Sequence, residues 1–260
     1  MKATFGAALL GSLLVANAAN ATTYSLYIHG RTGGVTGCGV TQPTPTGWSY
    51  WGVTGSGVNP IPVNYDGTAH ISVANPTVRA ALDTYCTGGN SCYIACHSAG
   101  CAHIGYALDQ FGGGNRWNII WTDAAGSAEG GTELADYFSW ASCDPLGSDL
   151  RTGTVRGLYN HNNLQGHLQF MFAGGKGTAY SFAIPGDDDQ VVPFHSSGGM
   201  SSTGRWCVSG TFLCTTLPDG TSGKYASHTL YFRDDAESFD HYSPNGIPHP
   251  MFSDMAATAR

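Results

Sequence analysis

Ser91-Cys92-Tyr93-Ile94-Ala95-Cys96-His97-Ser98-Ala99-Gly100-Cys101-Ala102-His103-Ile104-Gly105-Tyr106-Ala107-Leu108 carries two hydrophobic rhythms separated by a cluster of small residues. The first is a short β-favouring run that ends near Cys96. The second, at Ile104, Ala107, Leu108 and Phe111, has helical spacing. Strand, sharp turn and helix follow, with Ser98 at the apex. A serine there is held in a tight bend beside the positive end of a helix, its hydroxyl pushed out of the fold. Ser98 is therefore a candidate nucleophile.

Flanking segments repeat the alternation. Thr23-Tyr24-Ser25-Leu26-Tyr27-Ile28 reads as an opening strand that runs into His29-Gly30-Arg31-Thr32-Gly33-Gly34, a loop able to turn backbone N–H groups toward a developing negative charge. Ile61-Pro62-Val63-Asn64-Tyr65 reads as an edge strand, because its proline has no N–H for a ladder. Asn75-Pro76 signals a helix start with Asn75 as cap and Val78, Ala81, Leu82 and Tyr85 on the apolar face. Trp117-Asn118-Ile119-Ile120-Trp121-Thr122 is the next strand, the loop Asp123-Ala124-Ala125-Gly126-Ser127 follows it, and a short helix is expected over residues 133–140. Alternation of helix and strand in this order implies a parallel sheet covered by helices.

Residues 143–177 read as irregular and polar. Ala179-Tyr180-Ser181-Phe182-Ala183-Ile184 reads as a further strand, ending in Asp187-Asp188-Asp189. That acidic run suits a support for a catalytic histidine, a solvated turn, or a calcium loop, although it lacks the oxygen alternation of a calcium-binding hand. A hairpin is expected over residues 204–224. His228-Thr229-Leu230-Tyr231-Phe232 reads as the last core strand, with Asp240-His241 in the loop behind it and a final short helix from Met251.

Composition narrows the class. Met1-Lys2, an apolar run and Ala19-Asn20-Ala21 have the form of a secretory signal peptide over residues 1–21, with cleavage after Ala18 as the rival. Residues 22–260 then form one domain, secreted to the extracellular space or the periplasm, with no stable membrane span. Charged residues make up 11% and the formal net charge is −7, without a basic run, which excludes the footprint of a nucleic-acid binder. The partner expected from this charge balance is neutral, and the protein is read as a monomer. Eight cysteines in an exported chain imply disulfides. Cys86 with Cys92 and Cys207 with Cys214 bracket short loops, Cys38 and Cys143 are left to pair at long range, and Cys96 and Cys101 are expected to clamp the Ser98 turn. No C-x-x-C pair is present, so a zinc site is a poor reading.

Ordered along the chain, N–H donors, Ser98, an Asp and a His each follow a different strand. The order Ser, Asp, His belongs to one arrangement of serine hydrolases and not to the others. On these residues the chain resembles secreted serine esterases and lipases of the α/β-hydrolase fold. Cys96-His97-Ser98-Ala99-Gly100 matches the small-x-Ser-x-Gly motif with cysteine for the first glycine, and His97 before the serine together with His29-Gly30 is similar to bacterial lipases. The resemblance implies a single-domain α/β-hydrolase fold with a mostly parallel central sheet. It also implies an oxyanion hole from the amides of Arg31 and Ala99, and an acid at Asp189 from the Asp-x-x-Val-Pro form of Asp189-Gln190-Val191-Val192-Pro193. His241 is the expected base because a loop of about nine residues separates it from the last strand; His228 and His249 are the alternatives. His97 and His103 are read as structural, with His97 facing away from the serine. The resemblance implies a neutral or apolar ester substrate, and no metal or organic cofactor is required. Trp48, Trp51 and Trp121 are candidates for an apolar cleft. Alternative readings are an extracellular depolymerase of polyhydroxyalkanoate, cutin or aromatic polyester, a serine peptidase, and a non-catalytic binding protein of the same fold.

Overall fold

The computed structural model describes residues 21–32, 51, 59–175, 177–207, 213–216, 230–233 and 240–241. Nearly all of the expected signal peptide, Cys38, Trp48, His228, His249 and the expected final helix lie outside the described residues. The described strands form a six-stranded sheet in the order β2-β1-β3-β4-β5-β8 and a two-stranded one, β6-β7. The members of the large sheet are β1 (Thr23–Ile28), β2 (Pro60–Val63), β3 (Ser91–His97), β4 (Ile119–Ala125), β5 (Leu168–Phe172) and β8 (Leu230–Arg233). All five neighbour pairs are parallel. Parallel pairing brings the carboxyl ends of β1, β3, β4 and β5 to one edge, where Ile28 pairs Cys96, His97 pairs Ala125, and Ala125 pairs Phe172. The proline-containing β2 lies at the outer edge, where a missing N–H does no harm.

Alternation along the strands gives the sheet two unlike faces. On one, Leu26, Ile28, Ile94 and Cys96 meet Val78 and Leu82 of α1 (Ile71–Tyr85) and Ile104 and Leu108 of α2 (Ala99–Phe111), all buried in a single cluster. Each such leucine or isoleucine stabilises the fold by about 1.5–3 kcal/mol. The other face is aromatic: Tyr93 packs on Trp121 with ring centroids 4.4 Å apart, Trp121 meets Phe170 edge-on, and Tyr27 meets the buried Trp51.

Several sequence expectations change. Helix α1 starts at Ile71, not at Asn75, because Asp149, 79 residues beyond His70, caps it: its carboxylate accepts the Ile71 amide at 2.7 Å and pairs with His70 at 2.9 Å. Pro76 sits inside the helix, and Asn75 ties the two helices together by donating to the His103 carbonyl at 2.8 Å. Strand β4 continues to Ala125, through residues read as loop. Residues 143–177 contain α4 (Pro145–Asp149), α5 (Thr152–Leu158) and β5, whereas the alternating segment 179–184 forms turns and no strand. Among the described residues no strand lies beside it to pair with, and Phe182 is 79% exposed. The short helix α3 (Glu133–Tyr137) stops at Tyr137. The expected hairpin over 204–224 is instead a parallel contact between β6 (Trp206–Cys207) and β7 (Thr215–Thr216).

Disulfides join Cys86 to Cys92, Cys96 to Cys101 and Cys207 to Cys214, as their spacing suggests. Cys143 is exposed and bonded to no other cysteine among the described residues, and its expected partner Cys38 lies outside them. Among the described residues, no helix is long and apolar enough to cross a membrane, and no group of three or more His, Cys, Asp or Glu side chains is arranged to hold a metal ion.

Candidate active site

Ser98 joins β3 to α2 with φ 56° and ψ −128°, a conformation a non-glycine residue holds only under constraint, at about 1–3 kcal/mol of strain. The constraint is visible. Its amide donates to Ala125 at 2.9 Å, its carbonyl accepts the amides of Ala128 and Cys101, and the Cys96–Cys101 bond ties strand to helix across the turn. Gly100 lets α2 seat against β1: a Cβ there would stand 2.3 Å from the Ile28 carbonyl oxygen. Gly30 does the same for the serine, since a Cβ there would lie 2.6 Å from Ser98 Cβ and 3.1 Å from Oγ.

That glycine belongs to the loop after β1, which is pinned at three points. The Tyr65 hydroxyl donates to the His29 carbonyl, the Thr32 amide donates to Gly67, and Arg31 Nε donates to Asp144 Oδ2 at 2.8 Å. Asp144 is also the N-cap of α4, accepting the Gly147 amide. The Arg31–Asp144 pair joins residues 113 apart, so no local pattern announces it.

Asp189 and His241 are both fully buried and doubly linked. His241 Nδ1 lies 2.7 Å from Asp189 Oδ2, and the His241 amide donates to the Asp189 carbonyl at 2.9 Å. Asp189 Oδ1 accepts the amides of Val191 and Val192. The loop carrying the acid leads into α6 (Phe194–Ser197), where His195 is wedged between Arg156 and Glu133. Because a guanidinium only donates, His195 Nδ1 accepts and Nε2 carries the proton given to Glu133.

Gly126, at the end of β4, lies against the pair: a Cβ would approach Asp189 Oδ2 to 2.8 Å and His241 Nδ1 to 3.1 Å. The His241 ring also contacts that of His97, the residue before Ser98, at 4.5 Å between centroids. His97 is buried as expected of a structural histidine, but it is a neighbour of the expected base, which its reading as a residue turned away from the site did not foresee. Burial, with the charges of His241 and His29, holds its pKa well below the ordinary histidine value. Asp188 does not face His241. Burial and the charges of Asp189 and Asp187 push its pKa up to about 6, and its Oδ1 accepts the Gln190 amide.

A cleft of about 180 Å³ opens at Ser98, with Arg31 on its wall. Trp51 and Trp121 do not line it, because both are committed to the aromatic face of the sheet. Trp140 and Tyr180 line it instead. Neither stood out in the sequence, although Tyr137-Phe138-Ser139-Trp140 is a dense aromatic run in a weakly charged chain.

No family model matches the chain, and no curated protein matches it in sequence. Solved structures do. The mature lipase of Bacillus licheniformis superposes with a TM-score of 0.54 at 15% identity, covering 91% of this chain and 93% of that one. Lipase 1 of Pelosinus fermentans gives 0.54 at 11% identity over 92% and 98%, and Staphylococcus hyicus lipase gives 0.51 at 11% over 91% and 94%. The fold is α/β-hydrolase-like. In such open parallel sheets ligands bind outside the carboxyl ends of the strands, the edge at which Ser98, Gly126 and the Arg31 loop are found.

Proposed function

We infer that the protein is a secreted serine hydrolase of carboxylic esters, with Ser98, Asp189 and His241 as its catalytic triad. The observation that carries this reading is the buried, doubly anchored Asp189–His241 pair, whose imidazole packs against His97, the residue that enters the constrained turn of Ser98. A neutral serine hydroxyl is a poor nucleophile until an oriented imidazole takes its proton. Asp189 accepts Nδ1–H and so leaves Nε2 as the base. Ser98 Oγ attacks the ester carbonyl, its proton passes to His241, and the oxyanion is received by the amides of Arg31 and Ala99. The alcohol leaves with the proton from His241, and water, activated by the same imidazole, releases the acid and frees Ser98. The chemistry needs no cofactor. Export is supported by the three disulfides, which persist in oxidising compartments.

The test is a panel of p-nitrophenyl esters of rising chain length, with wild type and Ser98→Ala, beside a matched p-nitroanilide. Hydrolysis of esters by wild type, its loss in Ser98→Ala and slow anilide turnover are expected. Retained activity in the alanine variant, or none on any ester in wild type, overturns the reading. Faster anilide turnover makes the enzyme a peptidase.

A further inference from the structure

The walls of the Ser98 cleft are mostly apolar, with Arg31, Thr132 and Gln190 as the polar side chains beside Ser98. Arg31 is paired with Asp144, and Thr132 is committed at both ends, donating to the Val191 carbonyl and accepting the Leu134 amide. Gln190 is the third polar side chain on a wall otherwise made of apolar and aromatic ones, so discrimination among apolar esters falls chiefly to that surface. Ala128, Ala135 and Ala141 line the cleft with short side chains that leave it width, while Trp140 and Tyr180 supply its large rings.

These two rings belong to a larger array. Their centroids are 5.8 Å apart at 42°. Phe138 stacks on Trp140 at 5.8 Å and 27° and also meets Tyr180 at 6.3 Å. Phe182, largely exposed, meets Phe138 nearly edge-on at 87° and Tyr180 at 6.5 Å. Each ring is held by at least two others, so Trp140 and Tyr180 lose little freedom when a ligand arrives. The separations fall in the range in which aromatic pairs gain beyond their buried area. The cleft also has the right size: about 150 Å³ of apolar cavity holds a benzene ring, against about 180 Å³ here.

We propose that Trp140 and Tyr180 form an aromatic subsite beside Ser98 that selects esters carrying an unsaturated six-membered ring over equally apolar esters that lack one. This rests on the reading of Ser98 as the ester-cleaving nucleophile. A flat ring adds a favourable contact to the pre-packed array, whereas a puckered saturated ring of similar hydrophobicity gains burial only. From the usual worth of an aromatic pair, the preference is about threefold to tenfold in kcat/KM. The ring is recognised wherever the ester carries it, on the acid or on the alcohol.

The experiment uses matched pairs in a proton-release assay: ethyl 3-phenylpropanoate against ethyl 3-cyclohexylpropanoate for the acid side, and 2-phenylethyl acetate against 2-cyclohexylethyl acetate for the alcohol side. The aromatic member is expected to be favoured in at least one pair, and that pair identifies the side. Trp140→Leu and Tyr180→Leu are expected to bring the ratio toward one and Trp140→Phe to retain most of it, while Tyr137→Ala, an exposed ring outside the cleft, leaves it at the wild-type value. Ratios near one in both pairs for wild type, or a preference that survives both leucine variants, overturn the subsite while leaving the hydrolase reading intact. If wild type cleaves neither member of either pair nor any p-nitrophenyl ester, the hydrolase reading itself fails and the subsite with it.

Discussion

The imidazole of His97 lies against that of His241, with centroids 4.5 Å apart and planes inclined by 38°. His97 ends β3 immediately before Ser98, so one short segment presents both the proposed nucleophile and a wall for the proposed base. A neutral wall is what that base needs, because a second cation would oppose the imidazolium that forms during acyl transfer, and burial keeps His97 neutral. Replacing His97 by Phe preserves a ring at this position, and kcat on p-nitrophenyl butyrate is expected to stay within about threefold of wild type. Replacing it by Ala leaves His241 unsupported, and kcat is expected to fall at least about tenfold with little change in KM, since small misplacements of a catalytic group are costly. Equal behaviour of the two variants would show that ring packing is not the role of His97.

Asp189 offers a second test, because its two oxygens have different partners. Oδ1 accepts two backbone amides, from Val191 and Val192, and Oδ2 faces His241. In Asp189→Asn the amide oxygen must take the Oδ1 position, since its NH2 cannot accept from N–H donors. The NH2 then faces His241 Nδ1 and forces the proton onto Nε2, which removes the base toward Ser98. A loss in kcat of about 10⁴ is expected, with a Tm within a few degrees of wild type by circular dichroism. A small loss in kcat would show that the carboxylate does not set the tautomer.

What the sequence made legible is local. The β3 strand, the small residues of the turn and the α2 rhythm are contiguous, and the bonded cysteines lie only six, five and seven positions apart. The Asp189-Gln190-Val191-Val192-Pro193 motif is contiguous too, so its resemblance to Asp-x-x-Val-Pro is visible in sequence alone. The failures that bear on the site are long-range. Helix α1 takes its cap from Asp149, so no residue near His70 could announce its start. Segment 179–184 alternates like a strand but has no edge to pair with, whereas Leu168-Gln169-Phe170-Met171-Phe172 finds one between β4 and β8. The cleft aromatics were misassigned for the same reason: whether a tryptophan lines a site or packs on a sheet depends on distant neighbours.

Two glycines separate the demands of folding from those of the proposed chemistry. At Gly100 an added methyl would meet the backbone carbonyls of Ile28 and His29 at 2.3 and 2.4 Å. Only a shift of β1 from α2 relieves this, so Gly100→Ala is expected to lose about 3 kcal/mol or more, roughly 10 °C in Tm. At Gly30 the methyl would meet the Ser98 side chain instead. Gly30→Ala is expected to fold with a smaller loss of Tm, yet to lose about 10²-fold in kcat as the nucleophile is displaced. Thermal melts and ester turnover on both variants check the contrast, and an active Gly30→Ala enzyme would contradict it.

Glu129 links pH to stability. Its Oε2 accepts from Gln169 at 2.9 Å and Ser127 at 3.0 Å, and its Oε1 accepts from Tyr159 at 3.3 Å, yet burial outweighs these bonds and pushes its pKa up to about 7 from 4.5. Between those values the folded protein holds a proton that the unfolded chain releases. Its contribution to stability is therefore full below about pH 4.5 and is lost as pH rises through 7, a swing on the order of 3 kcal/mol. The buried histidines His29, His97 and His103 act in the opposite sense, since their lowered pKa values destabilise the fold as pH falls below 6.5. They are present in wild type and variant alike and cancel in the difference between the two. Glu129→Gln is uncharged at every pH and keeps the carboxyl's shape, with the Tyr159 hydroxyl turned to accept from the new amide. Its Tm is expected to exceed that of wild type by about 5–10 °C at pH 8 and to match or fall below it at pH 4.5. A Tm difference that does not change with pH would mean that Glu129 does not titrate between these limits.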